Sequence, residues 1–363
     1  MKFKTILLVC GMLAVALVVL RLHSMWHFRS IEPVVPGDCT VVSGLVGVED
    51  IVVDPHSGLA YLSVCDRRAV AAGQPANGGI WTYDLNDDEP VPLRLETGLG
   101  DDFQPHGIDL LSGLSGAVGL FVVNHGQGRN TIELFDLGGR QLVHRKTIQD
   151  PLIVSPNDVT AVAGDRFYVT NDHGSHGAFG KTLEDYLGLK RSGVVYYDGT
   201  RCRSVAGGIG YANGIALGPG GSSVYVCACS EGTVREYGRD ADSGALALKQ
   251  TVTCGTAVDN VDVDASGALW IGAHPKPFKF ARHARSARHR SPSEVIRLTP
   301  RPDGTFERQT VYLDDGTQLS GCSVAVAFRD RMLVGSVFEP FFLDWRLKPA
   351  IVETISERSH DDG

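Results

Sequence analysis

Seven residues with oxygen-bearing side chains, all carboxylates or amides, occupy equivalent positions in four separate segments of this chain. Each stands at the start of a run rich in apolar residues, and none of them offers sulfur. Hard oxygen donors of this kind suit calcium, which takes roughly six to eight oxygen ligands. No contiguous ligand loop is present, so a calcium site requires the fold to bring distant residues together. The seven residues are Glu49, Asp50, Asn157, Asp158, Asn213, Asp259 and Asn260.

Two histidines accompany this set. His106 opens a further segment of the same kind, and His125 ends the second apolar run of that segment. We expect the two runs to form adjacent strands of opposite direction, which lets the imidazoles meet. A pair of imidazoles beside a metal ion is suited to act as a general base toward water. The alternative for a lone histidine is a structural role, and pocket lining or a structural role is the interpretation of His274.

The segments that carry these residues are copies of one pattern: a polar cluster, an apolar run, a Gly turn and a second apolar run. Six copies follow one another, roughly 50 residues apart, which is typical of the blades of a β-propeller. We therefore predict an all-β chain with a six-bladed β-propeller over residues 36–347. The equivalent ends of the inner strands converge on a central channel in such a fold. The copies begin at Glu49, His106, Asn157, Asn213, Asp259 and Cys322.

Strand geometry separates the oxygen donors into two groups. Successive residues of a strand point to opposite faces, so neighbours such as Glu49 and Asp50 cannot easily bind one ion together. Asn260 should likewise point away from Asp259 unless the strand start is bent. The alternative is that these residues only cap turns. If these residues bind metal, they form two calcium sites. One lies at the channel mouth with Glu49, Asn157, Asn213 and Asp259, and a deeper one has Asp50 and Asp158.

Composition narrows the possible functions. The chain has 363 residues, of which 43% are hydrophobic and 21% charged, as in a folded soluble domain. The net charge of −8 argues against a general nucleic-acid partner. No G-x-S-x-G sequence occurs, which argues against hydrolysis by a serine nucleophile.

The amino terminus differs from the rest of the chain. Lys2 and Lys4 precede an unbroken apolar run at residues 6–20, which is followed by Arg21. The run suits a signal peptide and is slightly short for a membrane span. An uncleaved signal anchor, a cleaved signal peptide and a buried helix are the alternatives. We expect residues 1–30 to be an anchor and stalk, with the propeller in the secretory lumen or outside the cell and a flexible tail at 348–363.

Two segments between strands are distinctive. The spacing of apolar residues over 179–190 predicts a short helix that caps the channel mouth. The segment Phe278–Arg290 is basic in an acidic protein. One interpretation of it is a solvated loop between strands of one blade. The other is contact with an anionic membrane surface near the rim of the site.

With seven stretches taken in order, the chain resembles the serum paraoxonase/arylesterase family over about residues 39–338. The resemblance implies a six-bladed propeller and calcium-dependent hydrolysis of lactones and aryl esters, in a chain that keeps its hydrophobic amino terminus. The similar stretches are GVEDIVVD, PHGIDL, LFVVNHGQGRNTIELF, PNDVTAVAGDRFYVTNDH, YANGIAL, VDNVDVDASGALWIGAHP and SEVIRL.

The resemblance also implies roles for individual residues. His106 and His125 match the family's proposed catalytic dyad. The family joins a Cys near the start to a Cys in the last strand; Cys39 fits the first, but the last strand here contains none. The implied ligands of a catalytic calcium are Glu49, Asn157, Asn213, Asp259 and Asn260, and those of a structural calcium are Asp50, Asp158 and the Ile108 backbone carbonyl.

The resulting hypothesis is a hydrolase of lactones and aryl esters that uses two calcium ions. Calcium would polarise the substrate carbonyl while His106, assisted by His125, activates water, with Glu49 as an alternative base. Other possibilities are a gluconolactonase-like or strictosidine-synthase-like propeller and a membrane-anchored propeller that only binds a partner.

Overall fold

A computed structural model describes residues 2–76, 78–113, 116–139, 141–349 and 351–352 of the chain. Of the tail predicted at 348–363, residue 350 and residues 353–363 therefore lie outside the described ranges. Four helices are labelled in these ranges, namely α1 (Lys2–Ser24), α2 (Arg67–Ala71), α3 (Ala178–Leu187) and α4 (Pro277–Arg285).

The strands of the described residues form six antiparallel sheets of four strands each. The first strand along the chain is β1 (Gly37–Ser43). The next three sheets in chain order comprise β2 (Val48–Val53), β3 (Leu59–Val64), β4 (Gly79–Asp84) and β5 (Leu93–Arg94); β6 (Pro105–Gly113), β7 (Gly116–Asn124), β8 (Thr131–Gly138) and β9 (Gln141–Ile148); and β10 (Pro156–Ala163), β11 (Arg166–Asn171), β12 (Ser192–Tyr197) and β13 (Cys202–Ile209).

Two further sheets and the last three strands complete the ring. Their strands are β14 (Ala212–Leu217), β15 (Ser223–Ala228), β16 (Thr233–Arg239) and β17 (Leu246–Thr253); β18 (Ala257–Val263), β19 (Leu269–His274), β20 (Ser293–Pro300) and β21 (Phe306–Asp314); and β22 (Cys322–Phe328), β23 (Arg331–Ser336) and β24 (Phe341–Leu347). The six-bladed all-β propeller and the amino-terminal helix predicted from the sequence are confirmed.

The hydrophobic core lies between neighbouring blades. Strands such as β7 and β11 are buried along most of their length because both of their faces are covered by adjacent sheets. Ile51 and Leu62 of the first blade, for example, pack in one cluster with Val324 and Phe342 of the last blade. Each blade therefore depends on its neighbours for burial, and closure of the ring completes the core.

Closure of the ring uses backbone pairing. The strand β1 joins β22, β23 and β24 in one sheet, so the two ends of the propeller share a blade. Cys39 lies opposite Trp345 in the β1–β24 register, and all eight cysteines of the chain are free. Hydrogen bonds and apolar packing therefore hold the ring without a covalent clasp.

The segment after α1 docks on the propeller. Arg29 donates to both carboxylate oxygens of Glu294, at 2.6 Å and 2.8 Å, and the backbone of Val34 pairs with Leu313. The carboxylate of Glu294 is fully buried. Within the described residues, no helix has the combination of length and apolar character needed to cross a membrane.

Candidate active site and metal centre

Every inner strand of the propeller, β2, β6, β10, β14, β18 and β22, has a break in its register just after it begins. The breaks fall between Val48 and Asp50 and between equivalent pairs in the other five blades. An extra residue in such a β-bulge disrupts the alternation of side chains and re-aims them. The residues that fall within the six breaks are Glu49, His106, Gly107, Asn157, Asp158, Asn213, Gly214, Asp259, Asn260 and Ser323.

These bulges explain the direction of the Asn260 side chain, which strict alternation along the strand left in conflict with Asp259. Asn260 follows Asp259 inside the break between Val258 and Val261. Its side-chain amide donates to the backbone oxygen of Glu49 and, at 2.9 Å, to Glu49 Oε1. The bulge therefore supplies the bent strand start that would let Asn260 join Asp259 among the ligands at the channel mouth.

Four buried oxygen atoms at this end of the channel have no hydrogen-bond partner among the described residues. They come from four different blades, and each residue is at most 4% exposed. A buried acceptor without a hydrogen bond costs about 1–3 kcal/mol. Glu49 Oε2 has Arg67 at 3.7 Å, but the three other atoms are neutral amide oxygens, so the group indicates a missing electropositive partner. The atoms are Glu49 Oε2, Asn157 Oδ1, Asn213 Oδ1 and Asn260 Oδ1.

The donor set fits calcium by its chemistry. Three of the four unpaired oxygens are amide oxygens, and amides as well as carboxylates are calcium ligands. In the described part of the chain, no three His, Cys, Asp or Glu side chains cluster closely enough to hold a metal on their own. A centre at this place therefore depends on the asparagines.

Charged neighbours keep Glu49 ionised. Burial acts to raise the pKa of Glu49, but its electrostatic and hydrogen-bond interactions with His106, the charge of Arg67 and the hydrogen bond from Asn260 outweigh burial and lower the pKa to about 2. His106 Nε2 lies 3.5 Å from Glu49 Oε1. Asp259 differs, since burial raises its pKa despite the contact of 2.7 Å between its Oδ2 and His274 Nε2.

A second pair of carboxylates, Asp50 and Asp158, lies further along the channel. Asp50 accepts from the backbone N–H groups of Ile51 and Ile108, and Asp158 from those of Val159 and Ile215. Burial raises the pKa of both well above the ordinary value, and for Asp50 the charge of Asp158 adds to the effect.

Close approach of the inner strands at this level requires glycine. A Cβ atom on Gly107 would collide with Asp158 Oδ1 and with the backbone of residue 157. A Cβ atom on Gly214 would likewise meet the backbone of Asn260. The two glycines bring adjacent inner strands together where the oxygen donors are concentrated.

The two predicted catalytic histidines are in contact. His106 Nδ1 lies 2.9 Å from His125 Nε2, and the rings meet edge to face. Burial, followed by the charge of His106, lowers the pKa of His125 to about 4, so His125 is neutral at physiological pH. The backbone N–H of His125 donates to the Gln104 carbonyl, which ties the end of β7 to the start of β6.

The basic segment Phe278–Arg290 contributes a helix to the site. Its interpretation as a solvated loop is wrong for α4, because Phe280 stacks on His274 at 3.7 Å and buries that face. His283 on the same helix is 1% exposed and lies 3.2 Å from Glu339. The available signal for this helix was Pro277, since proline is favoured in the first turn of a helix.

The second predicted helix forms as α3. His173 contacts Asp172 Oδ1 at 2.7 Å and Asp185 Oδ1 at 3.0 Å, so it links β11 to this helix. Burial acts to lower the pKa of His173, but the two carboxylates outweigh it and raise the pKa to about 9. Lys181 of the same helix donates to Ser155 Oγ at 2.6 Å. His173 therefore acts as a charged clamp beside the site.

A cavity of about 670 Å³ opens at the opposite end of the channel. It is lined by the later residues of the inner strands, including Asp109 and Asp262, and it reaches Asp50 and Asp158. Neither His106 nor any of the four oxygens without a hydrogen-bond partner lines this cavity. This cavity and the histidine pair therefore lie at different ends of the channel.

Fold and site together define a six-bladed propeller whose channel carries buried oxygen donors and a histidine pair. The model of the arylesterase family matches residues 30–344. Rat serum paraoxonase/arylesterase 2 is 36% identical over 326 residues, which cover 86% of this chain and 89% of the relative. Human serum paraoxonase/arylesterase 1 is 36% identical over 324 residues, covering 85% and 89%. The chain therefore belongs to the arylesterase family, and its class is that of ester-hydrolysing enzymes.

Solved structures give the same fold at much lower identity. A putative gluconolactonase aligns with a TM-score of 0.54 and 17% identity over 88% of this chain and 95% of its own. The calcium-binding protein regucalcin from Agrobacterium tumefaciens aligns with a TM-score of 0.52 and 14% identity over 88% and 96%. These similarities show the propeller architecture alone.

Proposed function

We propose that this chain is a calcium-dependent hydrolase of lactones and aryl esters. The observation that carries the proposal is the group of four buried oxygens without a hydrogen-bond partner beside the contact between His106 and His125. Membership of the arylesterase family supports the substrate class, since the relatives it matches are named as arylesterases.

The proposed ligands of a catalytic calcium come from the bulged strand starts, and those of a structural calcium are two carboxylates and one backbone carbonyl. Calcium bound at the first site would draw electron density from an ester carbonyl and stabilise the oxyanion that develops. The raised pKa values of Asp50 and Asp158 support a cation at the second site, because a divalent charge would relieve the repulsion between buried carboxylates. The two sets are Glu49, Asn157, Asn213, Asp259 and Asn260, and Asp50, Asp158 and the Ile108 carbonyl.

His106 is the proposed general base. Its Nδ1 faces His125, so Nε2 is the nitrogen left to accept a proton from water as the water oxygen attacks the ester carbonyl carbon. The ionised carboxylate of Glu49, 3.5 Å from Nε2, stabilises the imidazolium that results. The same proton then protonates the departing alkoxide or phenoxide, and His106 returns to its neutral form.

Glu49 is less suited to be the base. Its pKa is lowered to about 2, so its carboxylate holds a proton weakly at neutral pH. Its Oε1 also accepts from Asn260. Both features support Glu49 as a charge that stabilises His106 and as a ligand.

We also propose that α1 attaches the protein to a membrane or sends it for secretion, with the propeller in the secretory pathway. Leu8, Leu13 and Leu17 are each about 60% exposed or more, so no described part of the propeller covers these leucines of α1. The basic residues of 278–290 provide a second contact for an anionic surface near the channel mouth.

The test is an assay of the purified full-length chain on phenyl acetate and on lactones of short and long chain. We expect turnover that is lost in a calcium-selective chelator and restored by added calcium. No turnover of any substrate, in protein shown to bind calcium, would support a binding propeller. Turnover that is indifferent to the chelator would contradict the proposed role of the metal.

A further inference from the structure

Asn130 links the histidine pair to the next blade. It lies in the turn between β7 and β8, and its Oδ1 is 2.9 Å from His125 Nδ1. Its Nδ2 donates to the backbone carbonyl of Val154 at 2.7 Å. A single amide side chain therefore contacts the far nitrogen of His125 and the loop that leads into β10.

The two contacts of Asn130 fix which end of the amide faces His125. A backbone carbonyl can only accept, so the NH2 group must point to Val154. The oxygen therefore faces His125 Nδ1, and an amide oxygen can only accept. His125 must then carry its proton on Nδ1.

The position of the proton on His125 determines which nitrogen of His106 is protonated. With its proton on Nδ1, neutral His125 presents a lone pair on Nε2 to His106. His106 Nδ1, 2.9 Å away, must be the donor. The lone pair of neutral His106 is then on Nε2, which faces Glu49 and the channel. The hydrogen bond made by one ring nitrogen of a histidine commonly sets the protonation of the other nitrogen in this way.

The loop that carries the Val154 carbonyl, to which Asn130 donates, is itself held in place. Asn171 Oδ1 accepts from the backbone N–H groups of both Val154 and Ser155, at 2.9 Å and 3.0 Å. Asn171 Nδ2 donates to the Leu152 carbonyl at 2.8 Å. The loop that holds Asn130 is therefore rigidly positioned by β11, and the orientation of the amide is set by the third blade.

We propose that Asn130 is a positioning residue that sets the tautomer of the His125–His106 pair and so directs the basic nitrogen of His106 into the channel. This inference deepens the proposed hydrolase and rests on it for its catalytic consequence. Asn130 acts through His125 and does not itself contact the reacting atoms.

The test compares Asn130→Leu, which removes the acceptor, with Asn130→Asp, which keeps an oxygen facing His125. We expect Asn130→Leu to lower kcat about 10-fold with KM nearly unchanged, since a misdirected base loses much of its effect. Asn130→Asp retains kcat within about 3-fold of the parent on the same argument. In a His125→Gln background, Asn130→Leu should have no further effect on kcat. Asn86→Leu, on a remote exposed turn, is the matched control.

A second readout does not depend on turnover. Nitrogen-15 NMR of labelled histidine, assigned with His125→Gln, should show a protonated Nδ1 and an unprotonated Nε2 for His125, and Asn130→Leu should abolish that preference. The inference is overturned if His125 carries its proton on Nε2, or if Asn130→Leu lowers kcat equally in both backgrounds. An inactive parent protein with the expected NMR pattern would instead reject the proposed function and leave the positioning role standing.

Discussion

His106 and His125 meet nitrogen to nitrogen, at 2.9 Å, although they come from opposite ends of their strands in sequence. His106 lies in the bulge at the start of β6, and His125 directly follows β7, which runs antiparallel to β6. One hairpin therefore places both imidazoles at the same end of the channel. Since His125 is held neutral by burial, it can orient His106 without competing for the proton.

Replacing either histidine separates catalysis from metal binding. His106→Gln should lower kcat on phenyl acetate by about 100-fold or more, because general-base catalysis contributes this much. His125→Gln should have a smaller effect, since His125 acts through His106. Steady-state kinetics and calcium titration of both variants are the measurements, with the exposed His56→Gln as control. A His106→Gln variant with unchanged turnover on every substrate would remove His106 from the mechanism.

Calcium removal should make stability fall with rising pH. The pKa values of Asp50 and Asp158 are raised in the folded chain, so above about pH 4 the folded state holds protons that the unfolded state has released. Stability of the calcium-free protein is therefore lost as pH rises from there. Thermal unfolding with and without chelator between pH 4 and 8 measures this effect.

Calcium should abolish the loss of stability with rising pH, and Asp50→Asn should weaken this loss in the chelated protein. Asn157→Ala, which leaves both deep carboxylates in place, is the matched variant and should keep the pH dependence. Identical pH profiles for the chelated parent and Asp50→Asn would count against a buried, charge-repelled pair.

The clamp on α3 should open in mild alkali. The pKa of His173 is raised to about 9, so its contribution to stability is fully present below about pH 6.5 and is lost as pH rises through 9. Hydrogen exchange of residues 178–187 should therefore accelerate between pH 7 and 10, after correction for the intrinsic rate. His173→Gln should exchange quickly at every pH, and exchange in this helix that is insensitive to both changes would contradict the clamp.

The docked amino-terminal segment should depend on one arginine. Arg29→Met removes two charge-assisted hydrogen bonds to Glu294 and should weaken docking by about 1–3 kcal/mol. Limited proteolysis near residue 30 should then proceed faster than in the parent. Arg308→Met, which also removes a contact to Glu294 but lies on β21, is the matched control. Equal cleavage of the parent and Arg29→Met would show that other contacts hold the segment.

Asp262, which lines the cavity of about 670 Å³, should lower the stability of the folded protein at neutral pH. Burial, and then the charges of Asp264 and Asp109, raise the pKa of Asp262 to about 7. Its ionisation therefore costs stability as pH rises from about 4 to 7. Asp262→Asn should raise Tm at pH 8 and leave it unchanged or lower at pH 4. The exposed Asp88→Asn serves as control, and a lower Tm at pH 8 for Asp262→Asn would contradict the electrostatic explanation.

The repeat pattern predicted the propeller because each blade repeats the same buried inner strand and Gly turn. It also predicted which residues begin the inner strands, and the structure brings those from five blades to one end of the channel. Alternation along a strand left Asn260 undecided, because it could join Asp259 only if the strand start were bent. A bulge is a matter of register between two strands, and the sequence of one strand does not contain it.

Other parts of the site had no periodic signal. Asn130 lies in an irregular turn, and its significance depends on the position of the Val154 carbonyl in the next blade. Arg67, which lies 3.7 Å from Glu49 Oε2, was missed because it belongs to a five-residue helix inside a loop. Such contacts arise from packing between blades, which local sequence patterns do not report.

The central claim is that oxygens from separate blades hold a divalent ion beside the histidine pair and that this centre hydrolyses esters. Its most direct test measures calcium stoichiometry and phenyl acetate turnover on the same samples of the parent and of an Asn157→Ala, Asn213→Ala double variant. We predict two calcium ions and turnover for the parent, and one calcium ion with turnover lost for the double variant. A parent that hydrolyses the ester with no bound calcium, or a double variant with unchanged stoichiometry and rate, would contradict the account.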